Sequence, residues 1–175
     1  MIEPKPLSIS ILLICLSLFI TCHNSERNQS MNAEKTITEG FIETQEVTLQ
    51  YLDWGGKGQT LVLLCGLGDT PFLFDSLAKE LSNHFHVIGY SRRNHGKSKS
   101  DDEKYDNATL VADLKLLLDS LRIDKTNLLG WSLGGNEITE FAALYPERVS
   151  KLIDFESGYD LSDGGFAKLL GYWRS

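Results

Sequence analysis

The chain has 175 residues, a length that suits one domain with enough apolar content for a buried core. Its 17 basic and 24 acidic residues give a formal net charge of −7 at pH 7. Because no basic patch or run of Lys and Arg accompanies this acidic balance, nucleic acid is not expected as a partner. The sequence has no phosphate-binding loop, dinucleotide fingerprint or zinc-ligand spacing, so no cofactor or metal is expected.

The N-terminal segment predicts export. Residues 7–20 are almost wholly apolar, which is short for a membrane span of roughly 20 residues but matches the core of a secretory signal. Cys22 follows this run and resembles the lipidated cysteine of bacterial lipoproteins, although Thr21 stands where such signals usually have Gly, Ala or Ser. Residues 1–22 are therefore predicted to be a signal peptide or a lipoprotein signal, with a membrane tether through Cys22 as one outcome. An uncleaved anchor and a true start at Met31 are the alternatives.

A polar stretch follows, and residues 23–39 are predicted to be a flexible tether because they have no apolar periodicity through residue 35. The folded domain is expected over residues 40–175. The three cysteines, Cys15, Cys22 and Cys65, are scattered along the chain, so no disulfide framework is expected.

From residue 40 the pattern alternates between strands and helices. Residues 41–52 predict a hairpin of half-buried strands, and residues 53–58 predict a turn. Apolar runs predict buried strands at residues 60–64, 86–90, 127–129 and 149–155. Helical spacing of apolar residues predicts a helix that begins near Pro71, one over residues 108–121 and one that ends near Leu144. This alternation predicts a parallel sheet with helices on both faces.

The segment Asn-Leu-Leu-Gly-Trp-Ser-Leu-Gly-Gly, residues 127–135, predicts a short strand, a tight turn and the start of a helix. Gly130 and Gly134 leave room for a sharp turn in which side chains would collide. Such a turn lifts the Ser132 hydroxyl above the sheet and directs the positive end of the new helix at it. This is the pattern of a nucleophile elbow, so Ser132 is the predicted catalytic nucleophile. The five-residue motif by itself could equally be an ordinary turn.

Four separated motifs, in the correct order, resemble those of the α/β-hydrolase superfamily over roughly residues 40–160. They are the strand and loop at 61–68, the strand and loop at 86–98 with Arg-Asn-His-Gly-Lys-Ser at its end, the elbow at 130–134, and Tyr-Pro-Glu-Arg-Val at 145–149. The resemblance implies an α/β-hydrolase fold, with a mostly parallel sheet and helices on both faces. It also implies an esterase- or lipase-like carboxylic ester hydrolase that acts on a small acyl ester. An acyltransferase or peptidase on the same fold is an alternative.

The resemblance also implies roles for single residues. The backbone N–H groups of Leu67 and Leu133 would form the oxyanion hole. Cys65 stands where the superfamily usually has His, and we expect a buried, unreactive thiol there. Asn94 replaces a Gly of the superfamily, and Asn tolerates a positive φ better than most residues. His95 is expected to pack within its loop or to be solvated rather than to act in catalysis.

A general base is missing from this pattern. In the superfamily the triad residues follow one another as Ser, acid and His, whereas the four histidines of this chain all precede Ser132. Glu156 aligns with a position that some members use as the triad acid, so it is a candidate acid beside a structural or solvated role.

The superfamily's chain continues beyond this point through a lid and two more strands, and residues 164–173 begin to resemble a lid helix. One hypothesis is therefore an exported ester hydrolase whose N-terminal two thirds are represented here, truncated after the strand that follows the elbow helix. The other is a non-catalytic, truncated or degenerate fragment, which the missing histidine favours.

Overall fold

The structure, a computed structural model, describes residues 36–102 and 104–157. The predicted signal segment, most of the predicted tether and the predicted lid helix lie outside the described residues. Within them, no helix has the length and apolar character needed to cross a bilayer.

Strands and helices alternate along the described residues as the sequence predicts. The strands are β1 (Thr38–Glu43), β2 (Val47–Gly55), β3 (Thr60–Leu64), β4 (His86–Tyr90), β5 (Lys99–Ser100), β6 (Thr126–Trp131) and β7 (Val149–Phe155). The α-helices are α1 (Asp75–Leu81), α2 (Asn107–Ser120) and α3 (Leu133–Leu144). Single turns of 3₁₀-helix at Pro71–Phe74 and Pro146–Arg148 precede α1 and β7.

The strands form one mixed sheet in the order β1-β2-β4-β3-β6-β7, with β5 paired to β2. The pairs β3–β4, β3–β6 and β6–β7 are parallel, whereas β2 runs antiparallel to β1, β4 and β5. The side of the sheet that contains the predicted nucleophile is therefore parallel, with connections through helices. This arrangement confirms the predicted fold class.

Helices cover both faces of the sheet, also as predicted. Val62 and Leu64 of β3 belong to an apolar cluster with α2 and α3. Leu61 and Leu63 point to the opposite face and pack in a second cluster with α1. The continuous apolar run of β3 follows from this position, because a central strand with helices on both faces has no polar side.

Two boundaries differ from the sequence-based expectation. Asp53–Gly55, predicted as a turn, belongs to β2, which continues through a bulge between Asp53 and Gly55. Trp54 in this stretch is 2% exposed and its indole N–H donates to Asp75 at 2.9 Å, so core packing extends the strand to Gly55, the first glycine of the predicted turn. In addition, β1 begins at Thr38, within the last residues of the range predicted as a tether.

Candidate active site

The predicted nucleophile lies at the junction of β6 and α3. Ser132 connects the last residue of the strand to the first residue of the helix with φ 54° and ψ −120°. A positive φ costs a residue with a side chain on the order of 1–3 kcal/mol, and such strain concentrates at functional sites. The Ser132 N–H donates to Phe155 O of β7 at 3.3 Å, and its carbonyl accepts from Gly135 N at 2.9 Å. The strained turn is thus tied to the neighbouring strand and to its own helix.

The two glycines of the motif allow this close junction. A Cβ on Gly130 would lie 2.4 Å from Gly134 O, and a Cβ on Gly134 would lie 2.3 Å from Leu64 O. Both contacts involve backbone atoms, which cannot rotate away as a side chain could. The glycines therefore let α3 begin directly against β6 and β3. This agrees with the prediction that they leave room for a turn in which side chains would collide.

Opposite the elbow lies the loop of residues 65–70, which follows β3 and is called the β3 loop below. Within it, Gly68 N donates to the His95 ring at 3.1 Å and Asp69 N approaches Gly66 O at 3.4 Å. Along the part of the chain that the structure describes, no hydrogen bond is donated by the N–H of Leu67 or of Leu133. These two N–H groups, one in the loop and one at the positive end of α3, are available to an acceptor. Their role as oxyanion donors stays a prediction.

A buried guanidinium connects the β3 loop to α3. Arg92, which is 2% exposed, donates from Nη1 to Gly66 O at 2.9 Å and from Nη2 to Cys65 O. Its Nε donates to the carboxylate of Glu137, a fully buried residue of α3. Tyr90 Oη donates to the same carboxylate at 3.1 Å. Burial raises the pKa of Glu137, and Arg92 opposes that shift by stabilising the carboxylate.

The adjacent arginine forms a separate ion pair. Arg93 donates through Nε and Nη2 to the two carboxylate oxygens of Asp113 at 2.8 and 2.9 Å, and Asp113 lies on α2. Two consecutive arginines of one loop therefore anchor it to two different helices. No local sequence pattern indicates this role for Arg92, because its partner Glu137 lies 45 positions along the chain.

His95 packs within its loop, in agreement with the expectation. Its Nε2 accepts from Gly68 N, its Nδ1 lies 3.0 Å from Arg93 O, and its ring stacks on Tyr105. One neutral tautomer, with the proton on Nδ1, satisfies both contacts. The preceding residue, Asn94, has φ 58°, so this Asn does adopt the conformation for which the superfamily uses Gly.

Comparison with known proteins agrees with this geometry. The family model for the alpha/beta hydrolase fold matches residues 59–171. The chain belongs to this family. A putative non-heme chloroperoxidase of Synechocystis sp. is 34% identical over 122 residues, which cover 67% of this chain and 43% of that protein. The esterase YbfF of Escherichia coli is 33% identical over 93 residues, which cover 53% of this chain and 36% of the esterase. This α/β-hydrolase thus spans less than half the length of the curated relatives it matches.

A solved structure shows the same relation. A hydrolase from Pseudomonas aeruginosa superimposes with a TM-score of 0.67 at 27% identity, and the match covers 82% of the present α/β-hydrolase and 55% of that chain.

None of the three described histidines of this α/β-hydrolase hydrogen-bonds to Ser132. His86 begins β4 and contacts Asp53 through Nε2 at 2.9 Å. It therefore lies at the amino ends of the parallel strands, whereas Ser132 follows the carboxyl end of β6. His84 precedes the same strand, and His95 is engaged by Gly68 and Tyr105. The fourth histidine, His23, lies outside the described residues.

Glu156, the candidate acid, directly follows β7 at the same edge of the sheet as Ser132. The register of the two strands pairs Trp131 with Phe155, the last residue of each strand. Ser132 and Glu156 are therefore the residues that directly follow two paired strand ends. Its side chain is exposed and its φ is 55°. This position is compatible with the predicted role, which remains a prediction.

Cys65 is buried, as expected for a thiol in the superfamily's His position. It is 1% exposed, and burial raises the pKa of its thiol to about 11, although the charge of Arg92 acts in the opposite direction. The thiol is therefore protonated and inaccessible at neutral pH. Among the described residues no cluster of three or more His, Cys, Asp or Glu side chains could bind a metal ion.

Proposed function

We propose that this α/β-hydrolase has the site of a carboxylic ester hydrolase, with Ser132 as the nucleophile and the N–H groups of Leu67 and Leu133 as oxyanion donors. The observation that carries the proposal is the strained φ of 54° at Ser132, between a buried strand and the N-terminus of α3. The similarity to an esterase of Escherichia coli supports the ester as the substrate class.

The chemistry that follows is acyl transfer. The Ser132 hydroxyl oxygen attacks the ester carbonyl carbon, and the electron pair of the carbonyl moves onto its oxygen. Donors at Leu67 and Leu133 stabilise this oxyanion, and loss of one such donor typically costs about 2.7–4 kcal/mol of transition-state stabilisation. The alcohol then leaves with a proton, and water hydrolyses the acyl-serine to the acid and free Ser132.

The step that lacks a described participant is removal of the proton from Ser132. No described histidine contacts it, so among residues 36–102 and 104–157 no histidine base lies within hydrogen-bonding distance of the nucleophile. The same observation favours the second hypothesis, a non-catalytic chain with the hydrolase fold. If the chain is an ester hydrolase, an added base should make Ser132 reactive. If the chain is non-catalytic, an added base should have no effect on Ser132.

An added base tests this directly. The full chain should react slowly with a fluorescent fluorophosphonate, and the rate of Ser132 labelling should rise in proportion to added imidazole, which can accept the Ser132 proton as a histidine would. The Ser132→Ala variant, measured at the same imidazole concentrations, gives the background. Absence of labelling at every imidazole concentration would contradict the proposal and favour the non-catalytic hypothesis. Fast labelling without imidazole would show that the chain contains its own base.

A competition experiment separates the alternative reaction classes. Competition with the probe for Ser132 is measured separately for an ester, an amide, and an ester with an added acceptor alcohol. Protection by the ester alone supports the hydrolase, whereas protection by the amide or transfer to the alcohol favours a peptidase or an acyltransferase.

Export and a membrane tether belong to the proposal as well. The apolar residues 7–20 and the cysteine that follows them support it. In a bacterial host, incorporation of an alkyne-labelled fatty acid into the full chain, but not into Cys22→Ser, would support lipidation. Equal labelling of both chains would contradict it.

A further inference from the structure

We infer that the buried pair of Arg92 and Glu137 positions the oxyanion donor of Leu67 relative to the elbow, and this inference rests on the proposed function. Arg92 would be a positioning residue, since it contacts the β3 loop and α3 but not the nucleophile. The pair is 2% and 0% exposed, so water does not compete for its hydrogen bonds.

The planarity of the peptide bond connects Arg92 to the predicted donor of Leu67. Gly66 C=O and Leu67 N–H belong to one peptide unit, in which the two groups point in opposite directions in a fixed plane. Arg92 Nη1 donates to Gly66 O at 2.9 Å. Because this bond fixes the direction of the carbonyl, it also fixes the direction of the Leu67 N–H. A second bond from Nη2 to Cys65 O holds the preceding peptide unit.

The same guanidinium is also linked to the other half of the site. Arg92 Nε donates to Glu137, which lies in the second turn of the helix that begins immediately after Ser132. Leu133, the other predicted donor, is the first residue of that helix. One guanidinium therefore connects the peptide unit of one donor to the helix of the other, with Tyr90 Oη as a further support of Glu137. The planar, forked donor set of Arg suits three acceptors in three directions, which the single ammonium of Lys cannot reproduce.

The effect of a buried ion pair on stability depends on whether one partner or both are removed. Replacement of a whole buried ion pair by apolar residues of similar size often leaves stability unchanged or raised, whereas removal of one partner leaves an unpaired buried charge. A contribution to stability alone therefore does not explain why this ion pair is buried here. It also follows that a double variant, Arg92→Met with Glu137→Leu, removes the bonds to the β3 loop without leaving a buried charge.

The chain offers a matched control in the neighbouring ion pair. Arg93 and Asp113 are also a buried arginine and a buried helical carboxylate, 8% and 4% exposed, and the arginine comes from the same loop. The described side-chain hydrogen bonds of Arg93 go to Asp113, Ser100 and Asp102, and none of them reaches the β3 loop. The double variant Arg93→Met with Asp113→Leu therefore tests the effect of losing a buried pair without releasing Gly66 O.

The measurement is the imidazole-supported rate of Ser132 phosphonylation in the full chain, with thermal unfolding recorded for each variant. We expect Arg92→Met/Glu137→Leu to slow labelling about 10²-fold, the lower end of the loss observed when one oxyanion donor is removed. Arg93→Met/Asp113→Leu should remain within about threefold of the wild type, because it leaves the donor in place. Arg92→Lys, which retains the charge but not the fork, should give an intermediate rate. Equal slowing by the two double variants, or no slowing by the first, would overturn the inference.

A second readout does not depend on reactivity. Amide hydrogen exchange of a peptide that contains residues 65–69 should be faster in the Arg92→Met/Glu137→Leu variant than in the wild type and in the Arg93→Met/Asp113→Leu control. If the wild type is not labelled at Ser132, the proposed function fails, and this exchange result still decides whether the pair orders the loop. Equal exchange in all three proteins would refute the positioning role.

Discussion

Gly134→Ala should destabilise the fold and slow the reaction of Ser132, because Gly134 packs directly against β3. A Cβ at this position would lie 2.3 Å from Leu64 O, 2.8 Å from Leu64 C and 2.9 Å from Cys65 O. All three atoms belong to the backbone at the end of β3, a strand held between β4 and β6. Because an ordinary contact needs at least 3.4 Å, α3 must withdraw by 3.4 − 2.3 = 1.1 Å.

The cost follows from this displacement. Overpacking of this kind costs up to about 3 kcal/mol, and the better helix propensity of Ala returns at most about 1 kcal/mol. We therefore expect the free energy of unfolding to fall by about 2 kcal/mol. Because α3 carries the predicted donor of Leu133 and the β3 loop carries that of Leu67, their separation changes as well. A misplacement of about 1 Å can cost about 10²-fold in rate, so phosphonylation of Ser132 should slow by a similar factor.

Urea unfolding followed by circular dichroism gives the stability change, and fluorophosphonate labelling gives the rate. Ala143→Ser is the matched control, since it also adds one non-hydrogen atom to α3 but at an exposed position. It should change stability by no more than about 0.5 kcal/mol and leave the labelling rate unchanged. If Gly134→Ala unfolds at the wild-type urea concentration and is labelled at the wild-type rate, the close contact of α3 with β3 is not what the motif's glycines provide.

The remaining predictions concern other parts of the fold. Burial raises the pKa of the Cys65 thiol to about 11. A variant with Cys15→Ser and Cys22→Ser should therefore react with a thiol reagent at about pH 8 only after unfolding. Rapid reaction of the folded variant would contradict this. Leu114→Ala should lower the free energy of unfolding by about 2–5 kcal/mol in urea titrations, because Leu114 is 0% exposed; a loss below about 1 kcal/mol would contradict its place in the core. Asp106 caps α2 by accepting from Thr109 N at 2.9 Å, a bond that lowers the pKa of its carboxyl group. Its stabilisation is therefore present above the ordinary Asp range and lost as pH falls through the lowered value, so the melting temperatures of wild type and Asp106→Ala should converge in acid.

The parallel part of the fold could be predicted because its signals are local. The apolar pattern of residues 149–155 predicts both ends of β7 correctly, and the apolar run at 60–64 indicates that β3 is buried on both faces. The elbow was predictable for a similar reason, since the spacing of Gly130 and Gly134 reflects a steric requirement within nine residues of the chain.

Tertiary contacts account for what the sequence did not reveal. Glycines at 55, 56 and 58 indicate a turn, but Trp54 is drawn into the core and keeps β2 extended through a bulge. Strand β5 has two polar residues and forms only because β2 lies beside it. The pair of Arg92 and Glu137 joins a loop to a helix across 45 positions, and charged residues in such segments usually indicate a solvated surface. Only the folded structure brings them together beneath the predicted donors.

Mass spectrometry of the full chain after reaction with the fluorophosphonate in imidazole would locate the adduct and so test Ser132 as the nucleophile directly. We expect one adduct per chain, on the peptide that contains Ser132, and none in Ser132→Ala. An unmodified Ser132 peptide, or an adduct at another serine that persists in Ser132→Ala, would contradict the assignment of Ser132 as the nucleophile.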